Sequence, residues 1–133
     1  MFLEIKNTTI GYQKPLISEV NASLDFGDVC LLIGNNGVGK TTLIKSILNQ
    51  IPTLKGDIFI NKKTNKKLSD KEIAEQIAVV FSKAQIPANY TTEDLISLGK
   101  FIHLPYYYQL EKEDLEDVNN IISQLKLEEY RTT

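Results

Sequence analysis

The residues Gly34-Asn35-Asn36-Gly37-Val38-Gly39-Lys40-Thr41 match the pattern G-x-x-x-x-G-K-[ST] at every fixed position. The chemistry that needs those types at that spacing is the holding of phosphate. Gly34, Gly37 and Gly39 allow positive φ and let backbone approach phosphate oxygens with no Cβ between them. Successive N–H groups of the loop, and those opening the next helix, then make an anion-binding concavity at a helix N-terminus. Lys40 is placed to reach the β- and γ-phosphates as a compact positive charge, and the Thr41 hydroxyl to ligate Mg²⁺. In a chain of this length the pattern arises by chance on the order of 1% of the time. The pattern therefore points to a nucleoside triphosphate, with Lys40 as the residue nearest any phosphoryl chemistry.

Such a loop works only if a strand delivers it and a helix leaves it. Val29-Cys30-Leu31-Leu32-Ile33 is continuously apolar, which suits a parallel strand buried on both faces, and a helix is predicted over Thr41–Asn49. Before the loop, residues 2–12 and Val20–Phe26 alternate like half-buried strands, with Gly27-Asp28 turning the chain. After it, Pro52 and Gly56 punctuate the chain ahead of a short strand at Asp57–Ile60, and Asn61–Lys67 reads as a solvated, lysine-rich loop. Ser69-Asp70-Lys71-Glu72 is a capping box, with Leu68 able to staple onto Ile73, and opens a short helix through about Gln76. Ile77–Phe81 is a second wholly apolar strand candidate. Thr91 and Thr92 cap a helix that Gly99 is expected to end, and Leu115, Val118, Ile121, Ile122 and Leu125 mark an amphipathic helix over 111–126. This order of elements specifies an α/β core.

Bulk properties exclude several classes. Fifteen basic side chains stand against 17 acidic ones, so no global charge favours nucleic acid. Cys30 is the only cysteine; no intrachain disulfide is possible, and its neighbours make it read as a small buried hydrophobe. No run approaches the roughly 18 apolar residues of a membrane span, and the N-terminus alternates with charge unlike a signal peptide. The expectation is a cytoplasmic protein with no direct membrane insertion. A guanine-specifying N-K-x-D is missing: Asn61-Lys62-Lys63-Thr64 has a threonine where the carboxylate must stand. His103, the single histidine, reads as an exposed or lightly packed side chain and not as a ligand.

From Leu3 to Lys100 the chain resembles the nucleotide-binding domain of ABC transporters. The loop reads G-N-N-G-V-G-K-T-T-L, close to that family's G-x-N-G-x-G-K-[ST]-T-L, and Ile10-Gly11-Tyr12 with Leu16–Asn21 is similar to the family's opening. Leu54-Lys55-Gly56-Asp57-Ile58 resembles its turn after the loop helix. The segments Ile77–Phe81 and Thr91–Lys100, followed by the aromatic stretch Ile102–Tyr106, are most similar to importer ATPases for iron-siderophore, haem and cobalamin. The resemblance implies a P-loop NTPase core (residues 1–90, with an N-terminal antiparallel β region) followed by the start of a helical subdomain (91–133). It implies ATP with Mg²⁺ as cofactors, bound by Tyr12 against adenine, by Gly34, Asn35, Asn36, Gly37, Val38, Gly39 and Lys40 around the phosphates, by Thr41 on the metal and by Thr42 at the α-phosphate. It further implies a membrane permease subunit as partner through about residues 82–103, a second ATPase subunit as a homodimer, and a peripheral position at the cytoplasmic face of the cell membrane.

Two departures from the family pattern carry consequences. The family's metal- and water-sensing glutamine falls at Ser82, with Gln85 three residues on as a candidate substitute. The family's L-S-G-G-Q-like signature, its Asp-Glu strand and its switch histidine have no counterpart in these 133 residues. The resemblance thus covers about half of the family domain. ATP hydrolysis coupled to transport is expected of the full family member, and none of this stretch alone. The alternatives are a non-catalytic, nucleotide-responsive protein-binding module and a soluble ABC protein outside transport.

Overall fold

A computed structural model describes residues 1–83, 86–104 and 109–133. The chain forms two compact units, Met1–Gln76 and Ile77–Thr133.

The first unit is built on strands β1 (Leu3–Gly11), β2 (Pro15–Leu24), β3 (Lys55–Ile60) and β4 (Lys63–Thr64), in the antiparallel order β2-β1-β3-β4. Helix α1 (Lys40–Ile47) covers one face, and its Leu43 joins Ile5, Ile10 and Ile58 in the core, with Leu3, Ile17, Val20 and Ile47 packed around them. Burying each of the four core side chains, Ile5, Ile10, Leu43 and Ile58, contributes about 1.5–3 kcal/mol. β1 departs from simple alternation. Asn7 and Glu19 adopt positive φ where the β1–β2 register shifts. The Asn7 backbone N–H donates to Asn21 Oδ1 at 2.9 Å, and Asn21 Nδ2 returns a bond to Asn7 Oδ1 at 3.0 Å. This bulge lets Thr8, Thr9 and Ile10 be buried in succession. Asn61 and Lys62, both at positive φ, form the two-residue turn from β3 to β4. The predicted lysine-rich loop is therefore the hairpin tip and β4, followed by a 3-10 turn (Asn65–Lys67). The capping box lies where the sequence puts it: the Glu72 N–H donates to Ser69 Oγ, and the Ser69 N–H to Glu72 Oε2, opening α2 (Asp70–Ala74).

The second unit holds α3 (Thr92–Phe101) and α4 (Lys112–Gln124). Thr91 and Asp94 cap α3 reciprocally, the Asp94 N–H donating to Thr91 Oγ1, while the Thr91 hydroxyl and then its backbone N–H donate to Asp94 Oδ2 and hold that carboxyl below its ordinary pKa. The helix runs through Gly99, which does not end it: a Cβ there would meet open space and its φ is not positive. Val118 and Ile122 are the residues α4 buries, while Leu125 stays exposed. Arg131 reaches back to α3, donating to both Glu93 carboxylate oxygens at 2.7 and 2.6 Å and to Asn119 Oδ1 at 2.7 Å. Lys100 pairs with Asp117 and, at 3.6 Å, with Asp114.

The two apolar strands expected at Val29–Ile33 and Ile77–Phe81 do not form. Neither segment is paired into a sheet, and Val29 and Val80 are each 98% exposed. A parallel strand exists only where neighbours on each side accept and donate its backbone bonds. An apolar run suits that place without creating it, and among the described residues neither segment has a strand beside it. Cys30, expected to be buried, is exposed for the same reason.

Candidate functional site

The glycine-rich loop leaves the extended segment at 29–33 and enters α1 at Lys40. Two of its glycines are conformationally required. Gly37 has φ 83° and Gly39 has φ 114°, the second lying outside what L side chains adopt without strain. Gly39 is also buried: a Cβ there would stand 3.0 Å from Ile17 Cδ1. β2 thus fixes the point where the loop becomes a helix. Gly39 is the N-cap of α1, and being glycine it offers no side-chain acceptor; the first turn contains no acidic residue either. The opening N–H groups of α1 are left without a helical acceptor or a local negative charge, the condition under which a helix end takes an anion.

Lys40 folds back along the loop, its ammonium donating to the carbonyl oxygens of Gly34 and, at 2.8 Å, of Asn35. Asn36, Gly37, Gly39, Lys40, Thr41 and Thr42 line one cavity of about 180 Å³. The Thr41 hydroxyl is a hard oxygen donor of the kind Mg²⁺ takes, and Thr41 is exposed on the cavity wall while Thr42 is buried in it. Val38 forms the turn, its N–H donating to Asn35 O at 3.3 Å.

Tyr12 sits at the tip of the β1–β2 hairpin, 62% exposed. The hairpin is tight, since a Cβ on Gly11 would lie 2.0 Å from Lys14 O. The strand that starts three residues after Tyr12 supplies the Leu16 and Ile17 contacts to Gly39. Ser82 is exposed in irregular chain of the second unit, and His103 is exposed after α3. Gln85, and Pro105 and Tyr106 of the aromatic stretch, lie outside the described residues. Among the described residues no cluster of His, Cys, Asp and Glu could hold a metal on its own, and no helix is long and apolar enough to cross a membrane.

Sequence reasoning missed Asn65. By sequence it falls in the solvated lysine loop, yet it is 1% exposed and donates from Nδ2 to the Ser46 and Ile47 carbonyls at the far end of α1. The available signal was the break in the lysine run, where one short amide stands between Lys63-Thr64 and Lys66-Lys67.

A glycine loop with enforced positive φ, an unneutralised helix N-terminus and a lysine over the same cavity define a P-loop fold. The comparisons with known proteins narrow the class. The ABC transporter family model matches residues 17–133. The petrobactin import ATP-binding protein FpuD of Bacillus anthracis is 29% identical over 129 residues, which are 96% of this chain and 47% of that protein. The iron(3+)-hydroxamate import ATP-binding protein FhuC of Bacillus subtilis (strain 168) is 29% identical over 129 residues, covering 96% of this chain and 48% of its own length. A solved ATP-binding subunit of an ABC transporter shares the fold with a TM-score of 0.82 at 24% identity, over 100% of this chain and 54% of that one. The chain belongs to the ABC transporter ATP-binding family, and it spans about half the length of the curated relatives it matches.

Proposed function

We propose that this chain binds MgATP as the N-terminal part of the ATPase subunit of an ABC importer for iron-siderophore or a related chelate. The observation that carries the reading is the cavity at the start of α1, where Lys40 and an uncompensated helix N-terminus face the same space. In this reading the amides of Gly37, Gly39, Lys40, Thr41 and Thr42 hold phosphate oxygens, with Asn35 and Asn36 shaping the loop. Lys40 exchanges its bonds to the Gly34 and Asn35 carbonyls for bonds to the terminal phosphates. Tyr12 stacks on adenine from the hairpin tip. The Thr41 hydroxyl is the protein ligand for Mg²⁺, which when bound neutralises charge on the phosphates. Lys40 remains at the transferring phosphoryl group and stabilises the charge that develops there.

Further parts of the proposal rest on the relatives FpuD and FhuC, which are import ATP-binding proteins. The segment 82–103, with Ser82 and Gln85 near its start, faces a permease subunit. In the same unit an open cleft is lined by Tyr90, Leu98, Phe101 and Leu115, apolar surface suited to a partner's helix. A second ATPase subunit, as a homodimer, completes the site at the cytoplasmic face of the membrane. These 133 residues alone carry no turnover, because the groups that position water and meet the γ-phosphate across the dimer belong to the family's remaining half.

Comparing MgATP with inorganic triphosphate tests the base-reading part. Tyr12→Ala is expected to weaken MgATP by about 1–3 kcal/mol, the scale of base–aromatic stacking, and to leave triphosphate affinity unchanged. An equal loss for triphosphate would mean that Tyr12 holds the hairpin and does not read the base.

A further inference from the structure

The C-terminal end of α1 is closed by two different means. The backbone does most of the work: Asn49, at φ 56°, turns the chain so that its N–H donates to Ser46 O at 3.1 Å, while the Gln50 N–H donates to Lys45 O at 2.9 Å. This is a Schellman-type closure with asparagine in the left-handed position. It leaves the Ile47 carbonyl, and that carbonyl receives Asn65 Nδ2 at 3.0 Å, with the Ser46 carbonyl receiving the same amide at 2.7 Å. The amide orientation is unambiguous, since turning it over would aim Oδ1 at two carbonyl oxygens. An N–H pair at the negative end of the helix dipole is also the favourable polarity. Asn65 belongs to the 3-10 turn that continues β4, so its side chain ties the end of α1 to the β3–β4 hairpin across 18 residues of sequence.

We propose that Asn65 is a positioning residue for phosphate binding: it fixes α1 from its C-terminal end and thereby sets where the amides of Lys40, Thr41 and Thr42 stand. The inference rests on the reading of α1 as the phosphate-binding helix. Eight residues of helix are a rod of about 12 Å. Its N-terminus is held by Gly39 against Ile17, its middle by Leu43 in the core, and its far end by Ile47 packing on the core together with the hydrogen bonds from Asn65. Releasing the far end lets the rod tilt about Leu43, and the displacement appears at the cavity.

The hydrogen-bonding side of Asn65 is separable from its volume. Asn65 Oδ1 and the neighbouring Ser46 Oγ are both buried with no protein partner. Asn65→Leu keeps the branching and heavy-atom count of the side chain at a larger volume, and removes that unpaired oxygen together with the donor, whereas Asn65→Asp is close to isosteric. Asn65→Asp reverses the polarity, and regains one donor only when the carboxyl is protonated. Two readouts are taken on the 133-residue chain: amide hydrogen exchange resolved along the chain, and MgATP affinity relative to wild type at pH 8 and pH 5.5. Both variants are expected to exchange faster over residues 42–48 of α1, with the β1–β3 amides unchanged, and to bind MgATP about threefold to tenfold more weakly at pH 8. Asn65→Asp should recover part of its loss at pH 5.5, and Asn65→Leu none. A space-filling role predicts wild-type behaviour for the near-isosteric Asn65→Asp at both pH values; that result overturns the proposal, as does the absence of pH-dependent recovery or unchanged exchange in α1. Faster α1 exchange in the variants, with MgATP leaving wild-type exchange untouched, would support Asn65 as the anchor of α1 and would reject nucleotide binding instead.

Discussion

Replacing Gly39 by alanine asks the loop to keep φ 114° with a Cβ attached. The left-handed region already costs an L residue about 1–2 kcal/mol, and 114° lies beyond its usual range. The added methyl would also stand 3.0 and 3.2 Å from Ile17 Cδ1 and Cγ1, contacts that the flexible end of the isoleucine relieves in part. A total of about 2–3 kcal/mol follows. Where that energy appears depends on whether the free loop relaxes. Residues 34–38 are exposed, and the loop's described internal backbone bond is Val38 N–H to Asn35 O. Residues 34–38 can relax in the free protein, while Gly39 itself is held against Ile17 and by the Leu43 N–H bond to its carbonyl, so part of the cost falls on stability. The rest should surface on binding, when the amides must converge on phosphate, as a loss of up to about 100-fold in MgATP affinity. Isothermal calorimetry reads it, and Gly27→Ala is the control, since Gly27 has φ 88° with nothing within 4 Å and lies outside the loop. Affinity for Gly39→Ala within twofold of wild type would refute the claim that this backbone conformation is needed to hold phosphate.

Gly56→Ala should act on stability instead: at φ 74° its Cβ would lie 2.4 Å from Asn7 O and 2.5 Å from Lys6 O, so β1 must move, at a cost of about 3 kcal/mol or more. Thermal melting checks this, and a variant melting with wild type would show that the β1–β3 contact is looser than described. Bonding from Arg131 holds the Glu93 carboxyl below the ordinary glutamate range. A depressed pKa contributes stability present above the unfolded value and lost as pH falls through the folded one. The α3–α4 unit should accordingly loosen at acid pH below that range, and Glu93→Gln should remove that share of the acid sensitivity; an identical acid profile in the variant, followed by helix circular dichroism, would contradict it. Val29, Leu31, Ile33 and Val80 leave apolar chain open to solvent, which favours association between copies. Light scattering over a concentration series should rise, and a sharply melting monomer at high concentration would exclude it.

The parts legible in the sequence were those written in local chemistry. Gly37 and Gly39 of the loop, the Ser69–Glu72 capping box and the cap at Thr91 each follow from side chains within a turn of one another, and the structure has them in place; of the α4 stripe it buries Val118 and Ile122 and leaves Leu115, Ile121 and Leu125 exposed. The parts that failed depend on distant pairing. Val29–Ile33 and Ile77–Phe81 carry strand composition, but composition does not supply hydrogen-bonding neighbours. Gly99 looked like a stop because glycine often is one, yet Ile102 is where α3 is capped. Asn65 is hidden because its role lies in a contact to Ser46 and Ile47, 19 and 18 residues away, and not in its lysine-rich sequence surroundings.

The most direct test of the account is the MgATP affinity of the wild-type chain against Lys40→Ala. Lys40 donates to the loop carbonyls from within the cavity that α1 opens, and among the described residues no other lysine lines it. Losing its charge-assisted bonds should weaken MgATP at least tenfold, about 1.4 kcal/mol, in calorimetry at fixed salt. Equal affinity in the two proteins would contradict the assignment of this loop as the phosphate site.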